Sequence, residues 1–157
     1  MTTLDLAQRY KIHRGLAWTM ISLHFTVGFG FFAKISAIDN PSAYMIGPLG
    51  KEKPGDGTTL IENLARIKAG ILYTAPFIAV VYAELNGSKD AKRAAAICPI
   101  LYHLCMTIEL IINADILNPK VMPVSTAVGG NLVFALLCCG LFYFAEDSPF
   151  FTDKTSQ

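Results

Sequence analysis

A chain of 157 residues that is 53% hydrophobic and 16% charged, with a mean hydropathy of +0.44, is not composed like a soluble domain. Its formal charge of +1 provides no basic face of the kind that phosphate backbones require, which excludes nucleic acid as a partner. Four apolar runs account for the excess, and too few polar residues remain to clothe four buried helices in water.

The composition therefore predicts an all-α protein, an integral membrane four-helix bundle. It forms one domain over residues 1–157, with spans of about 16–38, 66–85, 94–113 and 124–145. The lipid bilayer is its first expected partner. Residues 1–15 carry Arg9, Tyr10, Lys11, His13 and Arg14, a set suited to anchoring a helix end among headgroups. No small-residue cleavage site follows, so the next run reads as a retained helix and not as a removed signal. Trp18 suits the aromatic belt. His24 lies well inside the span and needs a hydrogen-bond partner, and Gly28 and Gly30 would let a neighbouring backbone approach.

Residues 39–61 form the one substantial loop, with three prolines and four glycines between Asn40 and Thr58. Thr58 or Thr59 suits the N-cap of a helix beginning near Leu60, with Glu62 as capping-box partner. That second helix carries Arg66 and Lys68 on its early turns, Pro76 in its interior and Glu84 at its end. Asn86-Gly87-Ser88 is a turn, and so short a link makes the second and third helices antiparallel neighbours.

In the third span Cys98, Tyr102, Cys105, Glu109 and Asn113 recur every three or four residues and fall on one stripe. A carboxylate against lipid is costly, which predicts that this stripe faces partner helices, with His103 beside it. The turn at Asn118-Pro119 and Pro123 leads to a fourth span carrying Gly129-Gly130, Asn131, Cys138-Cys139 and Gly140. All four cysteines lie inside spans and read as small apolar packing residues, not as a disulfide framework. Small-residue patches on the first and fourth spans suggest assembly, as a homo-oligomer or with other membrane subunits. Lysines and arginines divide seven to six between the two faces, so charge does not set the orientation.

Three chemistries compete for this layout. His24 and His103 lie at similar depths in spans that run the same way, as axial ligands of a haem b would. A di-iron carboxylate site is excluded, because no Glu-x-x-His occurs and Glu84 and Glu109 lie toward opposite faces. No zinc pair, phosphate loop or nucleophile elbow is present either. Arg66 and Lys68, with Tyr73 about two turns deeper than Arg66, suit the carboxylates of a peptide-like ligand or a lipid headgroup.

Several of these pieces carry a resemblance. The segment Glu62-Asn63-Leu64-Ala65-Arg66-Ile67-Lys68-Ala69 is followed by Ala75-Pro76-Phe77, then by Tyr102-His103 and by Asn118-Pro119-Lys120. Together with four spans and a long first loop, this is similar to the membrane-associated eicosanoid and glutathione metabolism (MAPEG) family, in its microsomal glutathione transferase branch. The resemblance implies glutathione as co-substrate and transfer to lipophilic acceptors. It implies that Arg66, Lys68 and Tyr73 hold the anionic thiol peptide and that Tyr102 is the catalytic hydroxyl near the sulfur. Unlike that family, the chain has no arginine after Arg93. The alternatives are a non-catalytic subunit of a larger membrane complex and a b-type haem protein using His24 and His103.

Overall fold

Asp5 opens the first helix with a reciprocal cap. Its Oδ1 accepts from the Gln8 amide at 2.7 Å, and the Gln8 side chain accepts from the Asp5 amide at 3.1 Å. Two amides that a helix start leaves unpaired are satisfied in this way. The computed structural model describes residues 4–32, 60–112, 114 and 123–148, and at 31, 32 and 60–66 the helix alone. Four helices result: α1 (Leu6–Phe32), α2 (Leu60–Asn86), α3 (Lys89–Ile112) and α4 (Val124–Phe144). The described residues contain no strand. Thr58, Thr59, the long first loop, Asn113 and Asn118-Pro119-Lys120 lie outside the described residues.

Between α2 and α3 the chain reverses in two residues. Gly87 takes φ 75°, which a side chain would disfavour, and its amide bonds the Ala83 carbonyl at 3.0 Å. Asp147, from the far end of the chain, accepts the first amide of α3 at Lys89 N, 2.6 Å away. The expected antiparallel pair is therefore closed by a side chain remote in sequence.

Each helix packs on two others in the cyclic order α1, α2, α3, α4 and back to α1. The segment of α2 from Ile67, all of α3 and all of α4 are long and apolar enough to cross a bilayer. The first expected span, 16–38, runs past Phe32 and out of the described residues. Ala17, Met20, Phe77, Ala96, Cys138 and Leu141 pack inside, while Leu85, Ile112 and Leu136 are 68%, 71% and 70% exposed.

The orientation of α3 corrects the sequence reading. Cys98, Cys105 and Glu109 are exposed and Tyr102 is half-buried, whereas the buried line runs through Lys92, Ala96, Pro99, His103, Thr107 and Leu110. Small Ala96 lets a neighbour approach, and Thr107 Oγ1 donates to the His103 carbonyl at 2.8 Å, so this line packs without stranding a polar group. Glu109 lies within a turn of the end of α3, from where a carboxylate has a short route past the apolar length of the helix. Cys138 alone among the four cysteines is buried.

The lead-in, expected among headgroups, packs into the helices through His13 and Arg9. His13 is 1% exposed, with Nδ1 donating to the Leu141 carbonyl at 2.8 Å and Nε2 lying 2.6 Å from Glu84 Oε1. It thereby joins α1, α2 and α4. Above it, Glu146 takes Arg9 Nε and Lys89 Nζ on its two oxygens, each at 2.7 Å. Buried Lys92 donates to the Glu146 carbonyl at 3.0 Å. Lys11 and Arg14 remain exposed.

Gly28 is where α1 and α2 approach closely. A Cβ built there would run into Thr74 Cγ2 and lie 3.0 Å from the Gly70 carbonyl, whereas Gly129 has nothing within 4 Å. Gly28→Ala is expected to cost about 1–3 kcal/mol. Gly129→Ala should be neutral or slightly stabilising, since alanine is the better helix former. Thermal denaturation in detergent reads both, and equal midpoints would contradict the packing.

A second expectation concerns acid. The hydrogen bond from Lys89, then that from Arg9, holds the Glu146 carboxyl below its ordinary value of 4.5. The unfolded chain then takes up this proton more readily than the folded one, so the stabilisation is complete above the ordinary value and is lost as pH falls. Between about pH 6 and pH 3 the melting midpoint should fall, and Glu146→Gln should show a shallower fall because it has no carboxylate to protonate.

Candidate functional site

All four helices contribute to one cluster around the buried His24, Phe77 and His103. It contains His24 from α1, Tyr73 and Phe77 from α2, Tyr102 and His103 from α3, and Asn131 and Phe134 from α4. The two imidazoles meet edge to face with ring centroids 5.1 Å apart, and they are 2% and 1% exposed. Phe77 stacks on His24 at 4.0 Å and Phe134 stacks on His103 at 5.3 Å. Tyr102 lies 4.9 Å from His103 and 6.4 Å from Tyr73, ring to ring.

The hydrogen bonds fix the state of both imidazoles. His24 Nδ1 lies 2.8 Å from the Met20 carbonyl, one turn back on its own helix. A carbonyl only accepts, so Nδ1 carries the hydrogen and the neutral ring keeps its lone pair on Nε2. Asn131 does the same for His103 by a relay. Its Nδ2 donates to the Ala127 carbonyl at 3.0 Å, which turns Oδ1 toward His103 Nδ1, also at 3.0 Å. An amide oxygen cannot donate, so His103 Nδ1 must. His103 Nε2 is then a buried lone pair, and it has no protein partner among the described residues.

The expected site residues thus separate into two groups. Tyr73, Tyr102, His24 and His103 come together. Lys68 is exposed toward the start of α2, and the Arg66 side chain lies outside the described residues. Asn131, Phe77 and Phe134 complete the cluster and were not singled out as site residues from the sequence. Asn131 had a signal, as an amide set in the apolar run of α4. Phe77 appears only within the Pro76-Phe77 pair that the resemblance quotes, and Phe134 has no signal of its own among the several aromatic residues of its span.

Two imidazoles with engaged Nδ1 atoms have the donor chemistry of metal ligands. The space does not match a haem. The rings touch each other, and Phe77 and Phe134 cover their faces, so no slot for a macrocycle opens between them. Among the described residues, no three His, Cys, Asp or Glu side chains converge on a point. What the cluster offers is a proton acceptor in an apolar enclosure, with two phenolic rings beside it.

Comparison of the chain with protein-family models, curated proteins and solved structures finds no match.

Protein purified from haem-replete cells is expected to be colourless. A Soret band that persists through purification, and is lost in His24→Ala and in His103→Ala, would show that the packed rings part to admit haem.

Proposed function

We propose that the protein is an integral membrane four-helix bundle of MAPEG-like plan. In this reading it uses His103 to activate the thiol of glutathione for transfer to a lipophilic acceptor. The observation that carries this is the buried Nε2 lone pair of His103, held free by Asn131. A buried acceptor without a partner is costly to keep, and a ligand that donates a proton repays it.

The residues named by the resemblance suit the same ligand. Arg66 and Tyr73 are seven positions apart, about 10 Å of helix rise. An extended tripeptide has about that length. Arg66 and Lys68 then hold carboxylates near the start of α2, while the thiol reaches Tyr102 and His103. The absence of an arginine after Arg93 leaves the thiolate without the cation that its low-dielectric surroundings demand. His103 supplies one. The thiol proton passes to Nε2, giving an imidazolium beside the thiolate, as in cysteine–histidine pairs. With a conjugated acceptor, sulfur bonds the terminal alkene carbon and the π electrons move to the adjacent carbon. That carbon takes the proton back from Nε2, and the imidazole is regenerated.

Assembly is part of this proposal. Gly129 and Gly130 on α4 have nothing within 4 Å, a surface suited to close approach by a further copy or another membrane subunit. The same face favours the rival reading, a non-catalytic subunit, which binds no glutathione.

Titration calorimetry of detergent-purified protein should show saturable glutathione binding that Arg66→Ala weakens. His103→Gln should leave affinity within a few-fold but lower addition of glutathione to a conjugated enone by about 10²–10⁴, the usual contribution of a positioned base. No binding heat from the wild type would end the enzymatic reading, and a co-purifying set of other membrane proteins would then favour the subunit.

A further inference from the structure

The end of the molecule that carries His13 and Glu84 has a groove that glutathione transfer does not use. Its volume is about 890 Å³, and it runs along the outer side of α1 against the segment that follows α4. Trp18, Gly15, Arg14, Lys11 and Tyr10 line one wall, and Glu146 and Asp147 the other.

The order of these groups along the bilayer normal is informative. His13 is level with Glu84 and Leu141, which lie near the ends of α2 and α4. Trp18 is five positions deeper on α1, about 7 Å toward the hydrocarbon. Arg14 is about level with His13, and Lys11 lies about 3 Å further out. Asp147 bonds the Lys89 amide and Ser148 the Gly87 carbonyl, three positions beyond Glu84, which puts this segment further out than Lys11, while Leu6 and Ala7 close the outer end of the groove. From hydrocarbon to water the order of these charged and aromatic groups is thus the Trp18 ring, then two cations, then a carboxylate on the opposite wall.

A zwitterionic phospholipid has the complementary order: acyl chain, phosphate, ammonium. Lys11 and Arg14 are exposed and pair with no carboxylate among the described residues, although Arg14 Nη1 lies 3.4 Å from the Tyr10 hydroxyl. Glu146 is committed to Arg9 and Lys89. Asp147 spends Oδ1 on the Lys89 amide and is otherwise exposed, which leaves Oδ2 for a ligand.

We propose that this groove binds one phosphatidylethanolamine molecule. Lys11 and Arg14 hold its phosphate, the Asp147 carboxylate takes its primary ammonium, and its glycerol and upper acyl chain lie along Gly15 and Trp18. A primary ammonium donates hydrogen bonds to a carboxylate and a quaternary one does not, which selects ethanolamine over choline. The site rests on the bilayer-spanning part of the reading above and not on glutathione chemistry.

Native mass spectrometry of the detergent-purified protein tests it, with phosphatidylethanolamine, phosphatidylcholine and phosphatidylglycerol added in turn. The wild type should retain phosphatidylethanolamine about three-fold or more over the other two, as one solvent-facing ion pair allows. Asp147→Asn keeps an oxygen for the Lys89 amide and should abolish that preference. The double variant Lys11→Gln/Arg14→Gln should reduce retention of all three lipids while leaving the melting midpoint unchanged. Equal retention of the three lipids by the wild type overturns the proposal, as does a double variant that holds phosphatidylethanolamine as well as the wild type does. Carbonate washing of membranes separates the two levels: release of the protein would refute the bilayer reading itself, whereas a protein that stays in the pellet and shows no preference refutes the site alone.

Discussion

The contact between His13 and Glu84 sets the register on which the rest depends. One imidazole spends one nitrogen on a carbonyl of α4 and the other on a carboxylate of α2. Both side chains are almost fully buried, at 1% and 4% exposure, so neither tolerates losing the other. Sliding any of these three helices along its axis would break the set. The same register fixes the centre. His24 is eleven positions from His13, Tyr73 eleven from Glu84 and Asn131 ten from Leu141, each a rise of about 15–17 Å. Residues far apart in the chain reach one level because the pair at the end holds the helices in step.

At that level the chemistry depends on an amide that touches few groups. Asn131 is anchored by its own helix through the Ala127 carbonyl, and that anchor decides which face it shows to His103. The phenylalanines do the complementary work. By covering the imidazole faces they leave the nitrogen edges as the polar outlets of the cluster, which is how a mostly apolar interior acquires a directional acceptor. A buried histidine is costly unless it is hydrogen-bonded, and here one nitrogen of each ring has been provided for locally.

Much of the helical plan was legible because hydrophobic length is a strong signal. The runs that became α2, α3 and α4 are visible in composition, and Asn86-Gly87-Ser88 marks its turn without ambiguity. The level of His24 and His103 was readable too, since both lie a similar distance into runs with the same direction. The facing of α3 was not. The three-to-four spacing of Cys98, Tyr102, Cys105 and Glu109 marks a stripe, and the cost of a carboxylate against lipid turns that stripe inward only if Glu109 has no route outward past the nearby helix end. The alanines that make the contact face carry no such mark. His13 was misread for another reason: its partners Glu84 and Leu141 are 71 and 128 positions away, and nothing local distinguishes a buried histidine from one resting among headgroups.

The rings around His24 and His103 belong to Tyr73, Phe77, Tyr102 and Phe134, all uncharged side chains. A proton added to either imidazole would stand as a lone positive charge in that enclosure, where the cost of solvating an ion is high. The packed centre therefore holds its electrical neutrality unless a counter-charge comes to lie beside the protonated ring.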